Sequence, residues 1–177
     1  IAPQVGGRKV AEFFNLPGIV LGTSAATFSS QNFGAGERAR IAKGARSGIF
    51  MYFCWWLVAL VFVIFLAPTA VKFITGSSNP EVIKNGVLYL RISIPMIPPM
   101  AILVILRNIL QGMRRPGMPL FCSCLELIGK VIFALWLVPA FGYLAVCICE
   151  PVTWVICCVV IAVAVFAIRG EFTNRHI

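Results

Sequence analysis

Residues 49–68 read IFMYFCWWLVALVFVIFLAP, an apolar run without a single charged position. An α-helix rises about 1.5 Å per residue and a bilayer core is about 30 Å thick, so about 20 such residues cross it. Four further stretches approach the same pattern. Residues 144–168 are interrupted only by Glu150 and Pro151, and residues 120–139 carry Glu126 and Lys130. Residues 91–111 are apolar but hold Pro95, Pro98 and Pro99, and residues 13–33 are diluted by Ser and Thr. The pattern predicts helices over about 10–33, 46–74, 82–112, 117–139 and 143–168, with a tail at 169–177. No stretch between them is long enough for a soluble domain.

Five spans put the two ends of the chain on opposite sides of the membrane. Arg38, Arg40, Lys43, Arg46, Arg107, Arg114, Arg115, Arg169 and Arg175 then fall on one side, against Arg8, Lys9, Lys72, Lys84 and Arg91 on the other. The positive-inside rule places the first side, and with it the C-terminus, in the cytoplasm. The connections suit this arrangement. Gly76 to Pro80 (GSSNP) is turn-forming, with Asn79-Pro80 a start signal for the next element. Arg114 to Pro119 (RRPGMP) is a tight basic hinge, and Pro139 to Tyr143 (PAFGY) is a short turn between two antiparallel helices.

Composition agrees with the pattern. Apolar residues make up 60% and charged residues 12% of the chain, against about 45–50% and 25% in soluble domains. The net charge of +9 would point to nucleic acid in a soluble protein, but here the basic residues cluster between apolar runs, where they set topology and meet lipid headgroups. The expected partner is therefore a lipid bilayer and not nucleic acid. Cys54, Cys122, Cys124, Cys147, Cys149, Cys157 and Cys158 all lie within hydrophobic runs, and the one histidine, His176, is in the tail. Buried cysteine behaves as a small hydrophobe, so no metal site and no cofactor is expected. The chain starts at Ile1 with no charged region and cleavage site ahead of its first apolar run, which predicts no signal peptide and a missing N-terminal part.

An enzyme active site has no footing. There is no Asp, no nucleophile beside a base, and Gly34 and Gly36 lack the spacing of a phosphate loop. Glu126 and Lys130 are one turn apart in the favourable order for an ion pair. Each charge alone costs about 2.5–3.5 kcal/mol at a helix centre, so the pair should face protein or a watery cavity. It is either a contact for cations or protons or a structural pair. Glu150 has no opposite charge within a turn, and Pro151 next to it favours a kink; it is either a proton relay or an acid near a helix start. Pro95, Pro98 and Pro99 cannot all sit in a regular helix. Such breaks serve as kinks, or as hinges at substrate sites in transporters. Met51, Phe53, Trp55, Trp56, Met96 and Met100 are candidates for an adaptable apolar pocket.

Taken in order, these segments resemble one family. Gln31, Asn32, Phe33, Gly34, Ala35 and Gly36, followed by ERARIAK at 37–43, resemble the cytoplasmic junction of the MATE (multidrug and toxin extrusion) transporters. The stretches YLRI at 89–92, LRNILQG at 106–112, LELIGK at 125–130, PAFG at 139–142 and EPVTW at 150–154 are similar to that family's second half. The resemblance covers about residues 5–170. It implies an all-α integral membrane protein whose five transmembrane helices are equivalent to the last five of a twelve-helix, two-lobe transporter, with the N-terminal lobe of the same polypeptide as its partner. It implies a secondary active antiporter in the plasma membrane, such as the bacterial inner membrane, exporting amphipathic, often cationic small molecules in exchange for H+ or Na+. The helix at 91–111 lacks the aspartate that many members use for ion coupling, and Lys130 stands where arginine is expected, keeping the charge but losing the planar fork. Two other functions fit the pattern of spans: a lipid-linked saccharide flippase of the same superfamily, which calls for a cavity rich in Arg and Lys, and a non-transporting membrane subunit.

Overall fold

A computed structural model describes residues 2–76 and 79–168, with side chains described from residue 7 onward. The expected tail at 169–177, including Arg169, Arg175 and His176, lies outside the described residues. All described secondary structure is helical: α1 (Ala2–Gly34), α2 (Arg38–Thr75), α3 (Pro80–Ser93), a 3₁₀ turn (Ile94–Met96), α4 (Ile97–Gly112), α5 (Gly117–Ile132), a π turn (Phe133–Leu137), α6 (Val138–Phe141) and α7 (Tyr143–Ala167). Taken continuously they make five long segments. Four of them, Arg38–Thr75, Pro80–Gly112, Gly117–Phe141 and Tyr143–Ala167, are long and apolar enough to cross a membrane. The fifth, α1, has 33 residues and the same reach, but its Ser, Thr, Asn and Gln keep it less apolar.

Helix ends follow local chemistry. At the α1–α2 junction the Glu37 amide donates to Asn32 O (2.8 Å) and the Gly36 amide to Phe33 O (3.2 Å), with Gly36 at φ +76°. This is a Schellman cap, whose left-handed residue favours glycine. Helix α2 then begins at Arg38, ahead of the expected 46. Apolarity marks where lipid starts, whereas Arg, Ala, Lys and Ile from 38 to 43 are free of helix breakers, so the helix extends beyond the hydrophobic run. The α4–α5 junction repeats the motif, with the Arg115 amide on Leu110 O at 2.9 Å, but here Arg114 takes the left-handed position at φ +59°. At the opposite end, Asn79 caps α3 by accepting from the Glu81 amide at 2.9 Å, with Pro80 in the first turn. Gly142 alone connects α6 to α7, at φ +60° and ψ −136°, a conformation essentially restricted to glycine.

Two cores share the central α3–α4 segment. One joins α1, α2, α3 and α4 around Phe14, Tyr52, Leu90, Ile97 and Ile105; the other joins α4, α5 and α7 around Leu103, Cys122, Trp154 and Ile161. Small residues let the backbones approach, as is usual between membrane helices. A β-carbon on Gly112 would clash with Ala26 O and lie 3.1 Å from Ser29 Cβ, and Ala59 and Ala67 are fully buried along α2. The outer faces carry large exposed apolar side chains, among them Phe65, Phe73, Leu135 and Trp136. Lipid is the solvent that suits them.

Candidate functional site

Polar groups are concentrated at three places in this apolar bundle. The first is built on α5. Lys130 Nζ lies 3.1 Å from Glu126 Oε1, an ion pair along one helix. A second cation arrives from α4: Arg107 Nη1 is 3.7 Å from Glu126 Oε2, while its Nη2 donates to Ser123 Oγ at 2.6 Å. Ser123 in turn donates to Pro119 O at 3.1 Å. The Glu126 and Arg107 side chains are 22% and 21% exposed and that of Lys130 is 45% exposed. Glu126 is therefore a bridging anion between two cations on two helices. Sequence spacing finds the Lys130 contact; Arg107 reads in sequence only as a junction charge, yet lies within α4.

The second place joins α7 to α3. Tyr89, 4% exposed, donates its hydroxyl to Glu150 Oε2 at 2.9 Å. Buried Ser93 lies one turn further along α3, and buried Thr153 lies one turn after Glu150, donating back to Cys149 O and Glu150 O. A second phenol, Tyr143, donates to Asn85 O at 3.1 Å, fastening the start of α7 to α3. Glu150 thus has a partner from across the bundle, on the α3 side and not within its own helix. The two acids are not brought together: Glu126 pairs with α4, Glu150 with α3.

The third place is a stripe along α1. Thr23, Ser24, Thr27 and Gln31, with Phe28, line an open cavity of about 420 Å³. Positions 23, 27 and 31 recur every fourth residue, one face of a helix. Thr23 Oγ1 donates to Val20 O (2.9 Å) and Thr27 Oγ1 to Thr23 O (3.1 Å), so the hydroxyl protons are taken up by the helix itself. The stripe runs to the junction residues. Asn32 is buried and donates to Phe28 O at 2.7 Å, Gly34 and Ala35 are exposed, and Gly36 provides the cap.

The prolines form a break, not a cluster with the acids. Pro95 and Met96 are exposed within the 3₁₀ turn, whereas Pro98 and Pro99 are half-buried at the start of α4. Pro98 has no N–H to give to Ile94 O, the carbonyl four residues back. That oxygen accepts instead from the Ile97 amide and from Trp56 Nε1, at 2.9 Å from α2. Met100 packs half-buried against the second core, while Met51 and Phe53 are exposed on α2. Cys122 and Cys157 are buried against each other's carbonyls across α5 and α7, and no group of metal-ligating side chains occurs among the described residues.

The family model MatE matches residues 6–136. The chain belongs to the MATE family. No curated protein and no solved structure shows significant similarity to it. The matched span runs from α1 into the π turn, and so includes the α1 stripe, the Gln31 to Gly36 junction, the proline break and the Arg107–Glu126–Lys130 cluster. Glu150 lies beyond it. MATE proteins are membrane transporters and not enzymes, so these polar sites are candidates for a transport path.

Proposed function

We propose that this chain forms part of a secondary active antiporter that exports amphipathic, often cationic compounds across the plasma membrane in exchange for H+ or Na+, with the 169–177 end in the cytoplasm. The α1 stripe is the observation that carries this. The Thr protons are satisfied within the helix, but the exposed Gln31 amide and the row's open acceptor oxygens are costly against lipid and stable where they face water or a second protein wall. Helix α1 packs on α2, α3 and α4, leaving the Thr23, Thr27 and Gln31 face as one wall of a path whose opposite wall is the partner lobe. Glu126 and Glu150 are the acids well inside the α5 and α7 spans, whereas Glu81 lies in the first turn of its segment, and the turn at Pro95, Pro98 and Pro99 interrupts the α3–α4 segment.

The test is efflux of ethidium from cells producing the complete transporter, with the proton or the sodium gradient collapsed in turn. Loss of efflux with one gradient supports the antiporter and names its ion; efflux that survives loss of both refutes it. Residues 1–177 alone should not export ethidium, because the α1 face has no second wall. The saccharide flippase reading is the weaker one. Arg107 does join Lys130 inside the bundle, but Glu126 lies between them and already occupies the cations a pyrophosphate would need.

A further inference from the structure

Between the end of α2 and the start of α3 lies an open groove of about 600 Å³. Pro68, Ile83, Val87 and Leu88 give it an apolar floor, and Lys84 and Arg91 are its charged residues. Those two are seven apart on α3, two turns on one face and about 10 Å along the axis. Both are exposed, and among the described residues neither has an ion-pair or hydrogen-bonding partner. Glu81, in the first turn of α3, makes no ion pair with Lys84.

Depth gives these cations their meaning. The segment Pro80–Gly112 has 33 residues, about 50 Å of helix against a core of about 30 Å, so part of it projects beyond the core, and the polar residues between Pro80 and Arg91 mark the Pro80 end as a projecting part. Lys84, about 6 Å from Pro80, lies in the headgroup layer. Arg91, where the apolar run 91–111 begins, lies at the border of the hydrocarbon, about 10 Å along the helix from Lys84. Side chains on a helix lean toward its N-terminus, so Arg91 reaches back toward Lys84 and the headgroups. An uncompensated guanidinium at that border stands at the level of the lipid phosphates, and one of them would neutralise it.

We infer that this groove binds one anionic phospholipid from the leaflet at the Gly76 end, its phosphate between Lys84 and Arg91 and an acyl chain along Leu88, Val87 and Pro68. Two unpaired cations select an anionic lipid over a zwitterionic one of equal chain length, and the apolar floor selects a lipid over a free phosphate.

Native mass spectrometry of the delipidated full chain, titrated with phosphatidylglycerol or phosphatidylcholine of identical acyl chains, tests this. Phosphatidylglycerol should be retained about thirty-fold better, as expected for two basic residues at the surface. A phosphatidylglycerol with a photoreactive acyl chain should label the peptide containing Leu88. The double variant Lys84→Gln/Arg91→Gln should lose the preference and the label, whereas Arg91→Lys keeps most of both. Equal retention of the two lipids, labelling only elsewhere, or an unchanged double variant overturns the proposal. Displacement by glycerol phosphate as effective as by the lipid also overturns it, since the site would then take a soluble anion. If circular dichroism shows that the double variant has lost helix, the wild-type labelling map and Arg91→Lys decide the matter.

Discussion

Replacing Trp56 by Phe isolates the contact that supports the proline break. Ile94 O has lost its usual donor to Pro98 and receives Trp56 Nε1 at 2.9 Å instead. Hydrogen bonds between membrane helices average about 0.6 kcal/mol and reach about 1.7 kcal/mol. Phe also removes part of a ring that packs on Phe53 with centroids 5.0 Å apart and borders the first core, which adds a loss of about 1 kcal/mol. Trp56→Phe should therefore destabilise the bundle by about 1–3 kcal/mol.

The two contributions separate in a double-mutant cycle. Pro98→Ala restores an N–H that can donate to Ile94 O along the helix, so the hydrogen-bond part of the Trp56 effect should disappear in that background while the packing part remains. SDS-induced unfolding in mixed micelles, followed by far-ultraviolet circular dichroism, measures both. A coupling of about 0.6–1.7 kcal/mol is expected. An identical Trp56→Phe cost in the two backgrounds, within about 0.3 kcal/mol, would show that Trp56 does not stand in for the donor that Pro98 lacks.

Three further outcomes follow from the same geometry and the same unfolding assay. Gly36→Ala should destabilise by about 1 kcal/mol because Gly36 is left-handed, whereas Gly34→Ala, in helix with open space around its α-carbon, should be neutral or stabilising by up to about 1 kcal/mol; a reversed order would reject the Schellman cap. Glu126→Gln should cost more than Lys130→Gln, about 1–3 against under 1 kcal/mol, because it strips the anion from both Arg107 and Lys130 and Lys130 is the more exposed; equal costs would mean that Arg107 gains nothing from Glu126. Tyr89→Phe should cost about 1–3 kcal/mol by leaving the Glu150 carboxylate without its donor, and a variant as stable as the wild type would show that water or another group serves Glu150 equally well.

Local features were legible and partners from other helices were not. The uncharged run at 49–68 identified the middle of α2 because lipid demands it, but not its start at Arg38, which depends on propensity. Glu126 and Lys130 could be paired by counting to four. Arg107 and Tyr89 could not, because they reach Glu126 and Glu150 from different segments, the second across 61 residues of sequence. The Ser and Thr of α1 looked like dilution, although their recurrence at 23, 27 and 31 already defined a face.

Depth would have supplied what spacing could not. In lipid an ionised side chain requires a partner at its own level, so each charge can be matched by its distance from the nearest helix end. Glu150 is about 10 Å from Tyr143, and Tyr89 about 13 Å from Pro80, at the same end of the bundle. Glu126 is about 13 Å from Gly117, and Arg107 about 7 Å from Gly112; the remaining 6 Å is the reach of an arginine side chain, and the structure shows it extended to both Ser123 and Glu126. The same matching leaves Arg91 over. No acid of the described chain pairs with it, and it lines an open groove that continues to Lys84 and the headgroup layer. An arginine at the membrane border that the protein does not neutralise is where the bilayer itself supplies the anion in the lipid site proposed above.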